Sequence, residues 1–295
     1  MGIRGDPAMT QAHNFTLDGF LLTGTDAFGV TWTVKTADGW HAAPKIRSER
    51  LAKSQQAGSW PSTGHAAERL VTLQGNAFAP DLATLEGAAS RLAAVLASGG
   101  MGDLVGVSDY GTLSMSVSIQ DAPMFDPTTD RSALWQITVA APDPLKYGPP
   151  TYGYATLSTS TPGAGRIWPR VWPTDWGIPA GVTPGAVAVP NAGTAAYWPR
   201  LRIDGPAVNP VVTLVESGAW VRLNGTVLAG QWVDINAPLI RNVLLQGQVS
   251  IRHWPVTYSG DWLAVPEGGG SVAWTDDGGD PAARLSVWGF GGAWS

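Results

Sequence analysis

Cysteine is absent from the 295-residue sequence, which excludes disulfides, thiolate metal sites and cysteine nucleophiles and argues against a small stapled secreted fold. Charge is scarce as well: Asp, Glu, Lys and Arg make up 14% of the chain, against roughly 25% in an average globular protein. The net charge of -5 leaves no basic footprint of the kind phosphate backbones require, so nucleic-acid binding is disfavoured. Long apolar runs are missing too. The nearest approach to a membrane span, Leu82 to Ser98, is interrupted by Glu86 and Arg91, and membrane insertion is not expected. Met1 to Gln11 holds one Arg but not the apolar stretch of a secretory leader, so synthesis as a soluble cytoplasmic chain is the expectation.

Signatures of chemistry are equally thin. His13, His41, His65 and His253 lie far apart with no i, i+4 pair, which disfavours zinc ligation. No G-x-S-x-G elbow is present. The glycine runs Gly99-Gly100-Met101-Gly102 and Gly268-Gly269-Gly270 lack the Lys-Ser/Thr that follows in a phosphate loop. Asp276, Asp277 and Asp280 cluster in a Gly-rich turn; hard cations want several oxygens, but the spacing matches no EF-hand, and a solvated acidic tip is the simpler reading. Arg4-Gly5-Asp6, in a chain without a secretion signal, is read as coincidence. No pair of carboxylates is marked out for glycoside hydrolysis. No catalytic residue, metal ligand or cofactor site is therefore predicted.

What is abundant is Gly (37), Pro (23) and Trp (15). A surface poor in charge and rich in aromatics suits contact with other subunits, because charged groups are depleted and Trp and Tyr enriched at interface centres. A Trp-rich β-sandwich core accounts for the same composition, and composition alone leaves both open. The length allows about two domains, each with its own core.

Most segments read as short strands. Phe15 to Leu22 is broken by Asp18-Gly19, and Val30 to Val34 is followed by Asp38-Gly39, both hairpin signals. Lys45 to Gly64 is polar and aperiodic and reads as a long loop or excursion; Leu70 to Gln74 reads as a strand stopped by Gly75. One helix is predicted. From Asp81 to Ser98 apolar residues fall at Leu82, Leu85, Ala89, Leu92, Val95 and Leu96, on one face of a 3.6-residue period, with Asp81 as cap, Glu86 near the positive end of the dipole and Gly99 as closure. Strands at Ser114 to Ile119 and Leu134 to Val139 offer it a sheet to cover, which gives an N-terminal α+β domain. Ala141 to Gly165, with five prolines, reads as a semi-rigid connector, and the domains are placed at 1–147 and 148–295.

The second half reads as β throughout: Arg200 to Ile203, Val211 to Val215, Trp220 to Leu223, Val227 to Leu228, Trp232 to Ile235, Asn242 to Leu245, Trp262 to Val265, Val272 to Trp274 and Leu285 to Trp288. Asn224-Gly225 is the strongest hairpin signal of all. Regular short strands without a helix imply a sandwich or jelly roll. Trp168, Trp172, Trp176 and Trp198 stand in the Pro- and Gly-rich stretch that opens this half. Their rings suit stacking on sugars or on a neighbouring subunit; filling gaps between domains or covering a sandwich edge explains them equally well.

The order of these features resembles the distal tail proteins of siphophages. The resemblance rests on the Arg-bearing polar loop, on Arg69-Leu70-Val71-Thr72-Leu73-Gln74-Gly75 before a helix, and on Trp135 to Gly148 with its Ala140-Ala141-Pro142-Asp143-Pro144-Leu145-Lys146-Tyr147-Gly148 ending. In the second half, Pro199 to Pro206, Asn209-Pro210, Trp232-Val233-Asp234-Ile235 and Val265-Pro266-Glu267-Gly268 are similar to that family's galectin-like C-terminal domain. The resemblance implies a mainly β chain: an N-terminal α+β domain with one helix, and a C-terminal galectin-like β-sandwich. It implies a structural, non-enzymatic protein of the virion, forming a six-fold ring at the distal end of the tail that joins the tail tube to the baseplate or host-binding tip. Its implied partners are further copies of itself, the tail tube protein, the tape measure protein and the tail-tip hub proteins, with DNA passing through the lumen unbound. The Trp- and Pro-rich stretch from Ile167 to Trp198 departs from the family in its length. The alternative is a carbohydrate-binding module that engages host cell-wall glycans, since exposed Trp on such a sandwich suits sugars; fold alone does not establish it. A tail-associated hydrolase has no residue signature here.

Overall fold

The structure is a computed structural model that describes residues 14–48, 53–57, 59–60, 64–156, 185–235, 243–245, 249–250, 256–259, 262–278 and 280–295. The chain divides into two compact units between Gly148 and Pro149. The first holds strands β1 (Asn14–Leu17), β2 (Phe20–Leu21), β3 (Gly24–Thr25), β4 (Thr31–Asp38), β5 (Ile46–Arg47), β6 (His65–Ala66) and β7 (Arg69–Phe78), helix α1 (Leu82–Ala94), then β8 (Gly102–Ser108), β9 (Gly111–Thr129), β10 (Ser132–Ala141) and β11 (Lys146–Tyr147). The second holds β12 (Pro150–Thr156), β13 (Gly185–Val189), β14 (Arg200–Asp204), β15 (Ala207–Val208), β16 (Val211–Leu214), β17 (Trp220–Leu223), β18 (Thr226–Val227), β19 (Trp232–Ile235), β20 (Val243–Leu245), β21 (Val249–Ser250), β22 (Val256–Ser259), β23 (Gly270–Thr275), β24 (Arg284–Phe290) and β25 (Ala293–Trp294).

In the first unit the strands run in the order β2-β1-β8-β9-β10-β7-β4-β3. The long β9 serves two long ladders and one short one: Gly111 to Val117 pairs with β8, Ser118 to Thr129 pairs with β10 across two register shifts near Thr138, and Ser114 also meets Tyr147 of β11. Such bulges bend and twist a strand, which lets one ladder wrap a single hydrophobic cluster. Trp32 stands in that cluster with Phe20, Phe125 and Trp135 edge-on to its ring at 5.1, 6.3 and 6.0 Å. Truncating a core Trp of this kind to Ala costs about 3–5 kcal/mol.

Helix α1 forms where the periodicity predicts, and the Asp81 carboxylate accepts from the Thr84 N–H at 2.8 Å as its cap. Leu85, Ala88 and Leu92 are its buried stripe, while Leu82 and Glu86 stay exposed, Glu86 beyond the first turn. Gly99 does not close it. The helix ends at Ala94, and Leu96 takes the left-handed conformation at φ 51°. That backbone costs a branched residue roughly 1–2 kcal/mol, and it is offset because Leu96 packs against the core.

Two glycines act otherwise than their turn chemistry suggests. Asp18-Gly19 does turn β1 into β2, with φ of 47° and 79°. Asp38-Gly39 ends β4 without making a hairpin, since β4 pairs with β7 and β3. At Gly39 the Leu70 carbonyl stands where a Cβ would go, and the chain turns Trp40 into the core. Gly75 is no stop: β7 runs through it to Phe78, and the Thr33 carbonyl, at the bulge of β4, fills its Cβ position. Close backbone approach is the other use of a strand glycine. Ile46–Arg47 and His65–Ala66 pair at the base of the polar excursion.

Charged groups inside this unit tie separate segments together. Asp26 accepts from Phe28 and Val30 N–H (both 2.9 Å), Trp32 Nε1 (3.1 Å) and Arg91 Nη2 (3.2 Å), which ties the β3–β4 turn to the helix. Arg69 and Lys146 are buried cations whose hydrogen bonds go to carbonyls: Arg69 to Pro144, Gly39 and Ala42, and Lys146 to Trp40 at 2.9 Å. Burial pushes both below their ordinary pKa values, and for Lys146 the Arg69 charge adds to it. The Arg69 strand and the Lys146 tail are thereby fastened to the segment that follows Gly39.

The second unit has two main sheets, ordered β12-β24-β14-β19-β20-β21 and β13-β23-β16-β17-β22, with a β15-β18 ribbon beside them. Leu201, Ile203, Val233, Ile235, Leu285 and Val287 from the first, and Val187, Val212, Leu214, Val221, Leu223, Val272 and Trp274 from the second, are buried, and Trp274 Nε1 donates across to the Ala155 carbonyl on β12. Segment 141–156 is therefore more than a connector, because β11 pairs with β9 and Pro150–Thr156 is a strand against β24.

Asn224-Gly225 does not make a hairpin. β17 pairs with β16 and β22, and β18 with β15. In a two-residue hairpin Val227 would lie opposite Arg222, away from Val221 and Leu223, yet all three apolar side chains are buried; leaving for another ribbon is how the chain buries the third. Trp262 and Leu263 do not form a strand. Both are buried, and both take left-handed backbone, at φ 53° and 60°, which no strand continues.

Two outcomes follow for the first unit. Gly87→Ala, in helix α1 with only the end of Arg91 near its Cβ position, should raise stability in urea unfolding by about 0.5–1 kcal/mol, whereas Gly75→Ala should lower it by about 1–3 kcal/mol or more; equal effects of one sign would contradict these placements. For Asp26, burial is the largest single influence and pushes its pKa up, but hydrogen bonds from Trp32, Val30 and Phe28 and the Arg91 charge together outweigh it, and the carboxyl sits below the ordinary aspartate value. A depressed folded pKa means stability that is complete above the unfolded value and lost as pH falls through the folded one. Asp26→Asn should cost on the order of 2 kcal/mol at neutral pH, and the difference from the parent should close as pH drops below about 4; a gap that persists in acid would show that the charge is not what matters.

Candidate functional site

Strand alternation builds a platform on the outer face of the six-stranded sheet. Arg200-Leu201-Arg202-Ile203-Asp204, Arg284-Leu285-Ser286-Val287-Trp288 and Trp232-Val233-Asp234-Ile235 each send their aliphatic residues into the core, and the residues between them fall on the other face. Pairing then sets the rows. Tyr152, Trp288 and Arg200 stand side by side; Tyr154, Ser286, Arg202 and Asp234 form the next row, and Thr156, Arg284, Asp204 and Trp232 the third.

Within these rows the arginines are stacked and pinned. The Arg202 guanidinium lies 4.1 Å from the centre of the Trp232 ring, Arg200 is 5.3 Å from Trp288, and Arg284 is 5.8 Å from Tyr154. Asp204 accepts from Arg202 Nε at 2.9 Å through one oxygen and from Arg284 Nη2 at 3.4 Å through the other, and Asp234 accepts from Arg200 Nη2 at 2.9 Å. Asp234 is 1% exposed, so its pair with Arg200 is shielded on one side, and removing the arginine would leave a buried charge unmatched. Tyr152 leans on Trp288 at 5.3 Å and on Tyr154 at 6.4 Å, and its hydroxyl donates to Ser286 Oγ at 3.4 Å. Tyr152 and Tyr154 are 55% and 61% exposed. The arrangement offers planar donors over aromatic surface, suited to binding rather than to bond making.

Sequence reasoning reached only part of this surface. Trp198, 42% exposed, continues the alternation that exposes Arg200; Trp168, Trp172 and Trp176 lie outside the described residues, as do Arg4-Gly5-Asp6, His13 and His253. Tyr152 and Tyr154 were hidden in a proline-rich segment, although their spacing of two was the available signal. Asp276, Asp277 and Asp280 do not converge: Asp276 accepts from Val208 N–H, Asp277 from Asn209 Nδ2, and Asp280 from Ala282 N–H. Among the described residues no three His, Asp or Glu side chains are grouped to hold a metal ion, and no helix is long and apolar enough to cross a membrane.

No protein-family model matches the sequence, and no curated protein is similar to it. Solved structures do resemble it. The Dit protein of SPP1, described as a paradigm of the hub adsorption apparatus in phages that infect Gram-positive bacteria, is 13% identical; the likeness covers 94% of this chain and 98% of that one, with a TM-score of 0.52. Chains of the phage p2 baseplate in its activated conformation, with Sr and with Ca, are each 10% identical over 94% of this chain and 97% and 98% of theirs, at TM-scores of 0.47 and 0.46. Over nearly its whole length, this chain has the mainly β fold of the SPP1 Dit protein.

Proposed function

We propose that the protein is a structural, non-enzymatic component of a bacteriophage tail: a distal tail protein whose N-terminal units, residues 1–147, form a six-fold ring that joins the tail tube to the baseplate or host-binding tip. The observation that carries this reading is the end-to-end likeness to the SPP1 Dit protein, in which both units of this chain take part. Its partners are then further copies of the chain, the tube and tape measure proteins, and the hub of the tail tip. The residues of 148–295 form the C-terminal galectin-like arm, with Trp168, Trp172, Trp176 and Trp198 as contact aromatics.

A feature of the first unit supports subunit contact. The outward residues of β7 and β10 are Leu70, Thr72, Gln74, Asn76 and Phe78, and Ser132, Leu134, Gln136, Thr138 and Ala140. None is charged, and the polar ones are knitted together, Thr72 to Thr138 at 3.2 Å and Gln74 Nε2 to Gln136 Oε1 at 3.0 Å. Leu70, Phe78 and Leu134 are exposed among them. This neutral, partly apolar strip has the composition of interface cores, with Asp38, Asp121 and Asp126 opposite Thr72, Thr138 and Leu134 on the flanking strands, and two strands without Lys or Arg give passing DNA nothing to bind. A closed ring needs such a patch to meet a different patch on the next copy.

Negative-stain electron microscopy of the purified protein at micromolar concentration should show rings with six-fold symmetry and a central hole. Isolated single-chain particles at every concentration would count against the ring.

A further inference from the structure

We infer that the outer face of the six-stranded sheet is a binding site for an acidic saccharide, one whose sugar rings carry carboxylates. This goes beyond the ring and does not depend on it.

The chemistry of the ligand follows from a count of donors and acceptors. The carboxylates of the platform are consumed by its own arginines: both oxygens of Asp204 are engaged, and Asp234 is buried against Arg200. What remains is donors. The Nη1 and Nη2 groups of Arg202, the Trp232 and Trp288 indole N–H groups and the Tyr154 hydroxyl make no hydrogen bond within the described protein, and none is a buried unsatisfied atom. Three guanidinium groups face two carboxylates, which leaves the patch positive on a chain of net charge -5. The complementary ligand is rich in acceptors and negatively charged.

Shape narrows the choice. The Arg202 guanidinium lies against Trp232 with its two-nitrogen edge unbonded, a fork that takes a planar carboxylate bidentately. A sugar that carries a carboxylate meets both features of this face, the acid on the guanidinium fork and the CH groups of its ring on the exposed Tyr152 and Tyr154 rings. Peptides that dock on sheets add to an edge through main-chain hydrogen bonds, whereas these groups stand on the face. The stacking and the aspartates hold the arginines in place before any ligand arrives, which lowers the ordering cost of binding.

Calorimetric titration of the full chain with a galacturonate hexasaccharide tests this, with a neutral galactose hexasaccharide and polyglutamate as comparisons. The uronate should bind, at least tenfold more tightly than the neutral sugar and more weakly as salt rises. Arg202→Gln should weaken it at least tenfold with thermal unfolding unchanged. Tyr154→Ala, at a side chain that is mostly solvent-exposed, should weaken it severalfold and serves if the arginine variant proves unstable. No uronate binding, equal binding of the neutral sugar, or full binding by a folded Arg202→Gln would overturn the assignment. Polyglutamate binding as tightly as the uronate would give the face to an acidic protein segment instead and also overturn it.

Discussion

The second unit depends on register. In β14 and β24 every outward residue is flanked by core residues: Arg202 stands between Leu201 and Ile203, and Ser286 between Leu285 and Val287. A slip of one residue would put arginines into the core and leucines into water, and burying an unpaired guanidinium costs far more than a methyl contact returns. The core therefore fixes which residues make the platform and which of them are neighbours. Trp288 meets Arg200 and Tyr152 because Val287 and Leu201 must face inward together. A surface site of this kind needs no dedicated scaffold, since the hydrophobic pattern that folds the sheet also aligns it.

A chain with so few charges uses them sparingly and locally. Asp26 gathers four donors at the turn that meets the helix, Arg69 and Lys146 spend their donors on carbonyls near Gly39, and the platform pairs three arginines with two aspartates. Such groups fasten segments that the hydrophobic core leaves loose. Elsewhere, as on the outward face of β7 and β10, neutral Thr, Gln and Asn replace charge. Covering such a neutral strip would desolvate no ion of its own.

Periodicity made much of this legible. The 3.6-residue pattern after Asp81 and the alternation of Arg200 to Asp204 were readable because one face of each element is buried, and burial writes itself into the sequence at that period. The failures share a cause: local turn chemistry was overruled by tertiary demand. Asn224-Gly225 favours a hairpin, yet the core takes Val227 to another ribbon. Gly75 looks like a terminator but makes room for a neighbouring carbonyl, a contact from 42 residues away that no local window contains. Trp262 and Leu263 read as a strand because both are apolar, but the chain turns there through two left-handed residues. The platform was half visible, in the motif residues of β14 and β19; Tyr152, Tyr154 and Trp288 join them only through pairing across more than 80 residues.

Location is the most direct test of the central claim, that this is a structural protein of the tail end. Immunogold electron microscopy on purified virions that carry the protein should place label at the distal end of the tail, at the junction with the tip. Label on the capsid or along the tail shaft, or a protein missing from the purified particles, would contradict the account.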